Sequence, residues 1–116
     1  MKAQISYEGK LYASMPDLNR DDVGQLLTFN LLLNDDGAVD LSTASVDFKM
    51  KQINSTGLKV NQSCALTSPA SGVCAYTTQS GDLDTEGVFD AELEVTDGTQ
   101  VTTVELGRFR IIEDLA

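Results

Sequence analysis

Residues 88–95 read VFDAELEV. Phe89, Ala91, Leu93 and Val95 are apolar, and Asp90, Glu92 and Glu94 alternate with them. Successive side chains of a strand point to opposite faces, so a period of two builds a strand with one face in a core and one in water. A helix would scatter the same residues around its circumference. Asp97-Gly98, just beyond, is a two-residue hairpin signal. The alternation then resumes in VTTVEL and RFRII, with Phe109 and Ile111 on one side and Arg108 and Arg110 on the other.

The same grammar holds upstream. Leu27, Phe29, Leu31 and Leu33 alternate within LLTFNLLLN, a run apolar enough for burial on much of both faces. Asn34-Asp35-Asp36-Gly37 ends it as a turn. Val39 and Leu41 lead a short crossing segment to Val46, Phe48 and Met50, which alternate with Asp47, Lys49 and Lys51. GLKVNQSCALTSPASGVCAYTT reads as a hairpin turning at Ser68-Pro69-Ala70-Ser71-Gly72, a loop that would set Cys64 opposite Cys74. The polar stretch GDLDTEG connects this hairpin to residues 88–95.

Roughly seven short strands with turn signals every 8–12 residues describe an all-β, antiparallel two-sheet β-sandwich, with a small closed barrel as its rival. The sandwich is expected over residues 25–116, with Phe29, Leu31, Phe48, Tyr76, Phe89, Leu93 and Phe109 in its core. Residues 1–24 alternate weakly and contain Pro16 and the charged cluster Arg20-Asp21-Asp22. They read as an N-terminal arm or edge strand, with Ile5, Tyr7, Leu11 and Tyr12 as apolar handles for an interface.

Composition narrows the chemistry. The 116 residues suit one domain, and the formal net charge is −10. Eight acids fall between Val60 and Gly107, a span without Lys or Arg. Nucleic acid and anionic membrane surfaces both need clustered cations, so neither is an expected partner. No apolar run approaches the roughly 18 residues of a membrane span, and MKAQISYEGK reads as no secretory leader. Histidine is absent, which removes imidazole bases and most zinc sites. No Ser or Thr sits beside a base, so catalysis and cofactors are not expected.

Three clusters have two readings each. Cys64 and Cys74 are free thiols packed as small hydrophobes, or a disulfide. Asp82, Asp84 and Glu86 suit calcium by their alternate spacing, or a turn in which carboxylates accept backbone N–H bonds; Asn34, Asp35, Asp36 and Asp40 pose the same choice. Asp90, Glu92 and Glu94 form an acidic stripe, either a solvated face or an interaction surface. Asn54-Ser55-Thr56 and Asn61-Gln62-Ser63 match the glycosylation pattern but have no export signal beside them.

Three segments carry a family resemblance: LTFNLLLNDDGAVDLSTASVDFKMK (27–51), LKVNQSCALTSPASGVCAYTTQSGDLDTEGVFDAELEVTDG (58–98) and the closing RFRIIEDL. They resemble an immunoglobulin-like family of tailed-phage genomes, related to the N-terminal domain of baseplate upper proteins. The resemblance implies an immunoglobulin-like sandwich and a non-catalytic structural role in a tailed bacteriophage virion, as an accessory tail or baseplate component or a capsid decoration protein. It implies other virion proteins as partners, a homo-oligomer or symmetric array, synthesis in the bacterial cytoplasm and residence in the virion. The alternative is a host-surface or carbohydrate-binding module that would stack sugar rings on Tyr7 and Tyr12.

Overall fold

A computed structural model describes residues 1–113. Asp114 and Leu115 of the closing RFRIIEDL lie outside the described residues. Ten strands follow one another: β1 Lys2–Tyr7, β2 Lys10–Tyr12, β3 Leu18–Asn19, β4 Leu26–Leu32, β5 Ser45–Gln52, β6 Val60–Ser63, β7 Ala65–Ser68, β8 Val73–Thr77, β9 Gly87–Asp97 and β10 Gln100–Ile112. They form two five-stranded sheets. The first has the order β2-β1-β4-β8-β7 and the second β3-β10-β9-β5-β6. All neighbours pair antiparallel except β3, which runs parallel to β10.

The alternating apolar residues of both sheets meet in one core, the two-layer arrangement of a β-sandwich. All seven expected core residues are buried in it. Phe48 of the second sheet stacks on Phe29 and Tyr76 of the first, with ring centroids 5.9 and 4.8 Å away. Phe89 and Phe109 pack side by side within the second sheet.

Residues 88–95 behave as their pattern dictates: Phe89, Ala91, Leu93 and Val95 are buried. The hairpin that follows is shifted by one residue. Asp97 pairs with Gln100, so the turn residues are Gly98 and Thr99, and only Gly98 has a positive φ, 63°. That is the pattern of a type II′ turn, with glycine first. VTTVEL and RFRII are one continuous strand, β10. Its buried residues are Val104, Leu106, Phe109 and Ile111, so the alternation slips by one at a bulge between Glu105 and Gly107. The extra residue lets both halves face the same core.

The segment before Gln25 is woven into both sheets instead of forming an arm. β1 lies inside the first sheet, between β2 and β4, with Ile5 opposite Phe29; β2 is an edge strand of the first sheet and β3 of the second. Ile5 and Tyr7 are therefore core residues. The Met15 N–H donates to the Leu106 carbonyl at the bulge (2.7 Å), and β3 then pairs with β10. A boundary at residue 24 separates no structural units. The β1–β2 turn, Glu8-Gly9, has positive φ at both residues (50° and 78°), the type I′ pattern, for which Asn-Gly is the usual sequence.

Two further expectations change. Leu33 lies past the end of β4, exposed in the turn, where its N–H donates to the Gly37 carbonyl (2.7 Å). The hairpin expected around Pro69 is only half a hairpin. β7 and β8 pair across a 3₁₀ turn at Pro69–Ser71, but β6 pairs with β5 in the other sheet. The chain changes sheets at Cys64, whose N–H still donates to the Val46 carbonyl (2.8 Å). The β7–β8 register matches Ala65 to Ala75, so Cys64 is not the residue directly opposite Cys74. Both cysteines are free thiols, and contact with Cys74 together with burial pushes the Cys64 thiol up.

Candidate interaction surfaces

A two-layer sandwich leaves two outer sheet faces and two ends of connecting loops. The outer face of the second sheet carries the acidic stripe. Register sets Asp90 between Lys51 and Arg108, Glu92 between Lys49 and Glu105, and Glu94 between Asp47 and Thr103. Arg108 donates to both Asp90 oxygens (3.0 and 3.3 Å) and holds that carboxyl below the usual carboxylate range. Lys49 donates to Glu94 at 2.8 Å, which raises the lysine's own affinity for its proton. Exposed pairs of this kind contribute little to stability, because water and salt screen them.

The stripe is thus divided. Asp90 and Glu94 are engaged within the chain, while Glu92 faces the like charge of Glu105. Asp47, Asp90, Glu92, Glu94 and Glu105 are set against Lys49, Lys51, Arg108 and Arg110, so this face is close to electrically balanced. Most of the net charge of −10 therefore resides elsewhere, chiefly in the loops.

The loop acids are occupied by the protein's own donors. Asp82 accepts from the Tyr76 hydroxyl and from the Gln79 N–H (2.9 Å). Asp84 pairs with Lys59 and accepts from Thr85, and Glu86 pairs with Arg20 at 2.8 Å. Asp35 accepts the Gly37 N–H (3.0 Å), and Asp40 accepts the Ser42 N–H (2.9 Å) and hydroxyl (2.6 Å). These are the turn-forming bonds short carboxylates make with local backbone. Among the described residues, no group of three acids or cysteines is arranged to hold a metal ion.

The Tyr76–Asp82 bond latches the β8–β9 loop to the core. Removing one partner of a partly buried, charge-assisted bond costs about 1.5–3 kcal/mol. Asp82→Ala and Tyr76→Phe are each expected to lower stability by about 1.5–3 kcal/mol, and the double variant by little more than the larger of the two. Urea titration of the three variants checks this.

Burial pushes the Tyr7 phenol up to about 12, helped by the neighbouring Glu8 carboxylate, and burial with the Asp82 bond raises Tyr76 as well. A folded-state pKa above the unfolded value gives stability that is complete below the unfolded value and is lost as pH rises through the folded one. The fold is therefore expected to hold up to about pH 10, the ordinary tyrosine value, and to weaken progressively towards pH 12. Near-ultraviolet phenolate absorbance followed beside far-ultraviolet circular dichroism should show late tyrosine ionisation accompanying unfolding.

The expected handles of the N-terminal segment have separate fates. Ile5 and Tyr7 are in the core, and the Tyr7 hydroxyl donates to Gln25 Oε1 (2.7 Å). Tyr12 packs partly buried against the core, and Leu11 alone stands out, 69% exposed. Tyr7 and Tyr12 thus form no exposed pair of rings for a sugar to stack on.

Leu11 belongs to a face that the sequence reading missed. Outward residues of the first sheet are Gln4, Ser6 and Leu11, then Leu26, Thr28, Asn30 and Leu32, then Ala65, Val73, Ala75 and Thr77. Among the described residues of these strands, the only charged side chain on this face is Lys2, at one corner and paired with Asp36. The available signal was LLTFNLLLN itself, whose outward positions Leu26, Thr28, Asn30 and Leu32 carry no charge. Compared with protein-family models and with curated proteins, the chain matches none.

Proposed function

We propose that this chain is a non-catalytic, immunoglobulin-like structural domain of a tailed-phage virion, acting through protein–protein contacts in the tail, the baseplate or the capsid surface. The strand order supports the fold reading. β1-β4-β8-β7 takes the order A-B-E-D of an immunoglobulin domain and β10-β9-β5 the order G-F-C, with β6 following as C′.

The observation that carries the functional reading is the contrast between the faces. One sheet face carries a single charge, Lys2 at its corner, and the other is a charge-balanced lattice, while carboxylates in the loops are spent on local structure. Surfaces are what such a domain offers, and extended surfaces suit repeated protein contacts in a symmetric assembly. The phage assignment itself rests on the resemblance of residues 27–51, 58–98 and 108–115.

The test is fractionation. Particles released from the bacterium that carries the gene are banded on a density gradient and digested for peptide mass spectrometry. Peptides of this chain should follow the particle band in constant proportion to the major structural subunits. A chain found wholly in the soluble fraction contradicts the proposal.

A further inference from the structure

We infer that the uncharged outer face of the first sheet binds the same face of a second copy of this chain, a pairing that rests on the structural role proposed above and names its partner. Register aligns Leu11, Ser6, Thr28, Ala75 and Ala65 in one line across all five strands. Thr28 and Ala75 are at its centre. Leu26 stands beside them, 54% exposed. Short side chains in the middle of the line let another flat sheet approach closely.

Charge selects the occupant. Two copies of net charge −10 repel through almost any orientation that brings their loops together. Among the described residues, the strands of the first sheet put no carboxylate on its outer face, and Glu8 stands at its rim beside Ser6, Leu26 and Thr28. A two-fold axis through Thr28 would set each copy's line against its partner's, the self-complementary geometry of a symmetric pair. A basic partner has nothing to pair with on this face, and the charged lattice of the opposite sheet suits it better.

Area sets the strength. Five strands about 4.8 Å apart, with β4 seven residues long at about 3.3 Å each, span a plane of roughly 450 Å². Two such faces bury roughly 900 Å², below the roughly 1,200 Å² where stable interfaces begin. The pair is therefore weak in solution, and repetition in an array strengthens it.

Sedimentation equilibrium of the full chain tests this at low and high salt. The wild type should self-associate reversibly, and more tightly in high salt, because screening removes repulsion while an uncharged contact loses nothing. Thr28→Glu should weaken association by about tenfold or more, since symmetry places two unpaired carboxylates in the contact. Val101→Glu adds the same charge on the opposite face, where Val101 is exposed, and should change association far less. Leu26→Lys lowers the net negative charge and should still weaken pairing. Circular dichroism confirms that each variant is folded.

A wild type that stays monomeric at the highest concentration overturns the pairing, as does association that weakens in salt or falls equally in Thr28→Glu and Val101→Glu. A monomeric chain that still follows the particle band defeats the pairing alone. A pairing chain absent from particles defeats the virion reading alone.

Discussion

Phe48→Ala is expected to lower the unfolding free energy by about 3–5 kcal/mol, the range for deleting a fully buried phenylalanine. Phe48 is 1% exposed and is the ring through which the two sheets touch, stacked on Phe29 and Tyr76. Its loss leaves a cavity that rigid strands on both sides cannot close, so the cavity cost adds to the lost transfer energy. Domains of this size are stable by about 5–15 kcal/mol in total, so the variant should be marginal. Phe48→Leu keeps most of the volume and should cost less than half as much. Urea unfolding followed by far-ultraviolet circular dichroism separates the two. Equal and small losses would mean that the sheets do not depend on this stack.

Gly72→Ala should be the most damaging single-atom addition, at about 2–4 kcal/mol. Gly72 ends the 3₁₀ turn between β7 and β8 at φ 75°, where a side chain costs about 1–2 kcal/mol. A Cβ there would lie 2.7 Å from the Leu31 carbonyl oxygen and 2.8 Å from that of Val39. These are backbone atoms, and Leu31 is fixed on both sides. Its oxygen accepts from the Val39 N–H at 3.0 Å, and its N–H donates to the Gly72 carbonyl at 2.8 Å. Gly81 supplies the control. It has a similar φ, 90°, and nothing within 4 Å of its Cβ position, so Gly81→Ala should show the conformational cost alone. The difference in urea midpoint between the two variants measures the clash.

Where strands are long, the two-residue period was enough to read them. Residues 88–95, the Val46-Phe48-Met50 face and the Phe109-Ile111 face all lie as their alternation requires, because each strand has one dry side. Short elements were harder. β2 has three residues and β3 two, too few to display a period. Glu8 in a type I′ turn conceals the hairpin that holds Ile5 and Tyr7 in the core. The change of sheet at Cys64 and the bulge at Glu105–Gly107 each turn on a single residue; Gly107, with φ 95°, is the one mark of the bulge in the sequence.

The surfaces were less legible than the core, for a physical reason. A core position is set by its own strand's period, whereas a surface is assembled across strands distant in sequence. Asp90, Glu92 and Glu94 look alike along the chain, and only strand order shows Arg108 and Lys49 drawing two of them away from the third. The uncharged face joins Leu11, Thr28 and Ala75 from three separate stretches, and no one of those stretches announces it.

Electron cryomicroscopy of gradient-purified particles tests the central claim most directly. The account predicts density for two packed five-stranded sheets, repeated at symmetry-related positions on the tail, baseplate or capsid, into which residues 1–113 fit. A complete particle reconstruction with no such density, from a preparation in which the chain stays soluble, would contradict it.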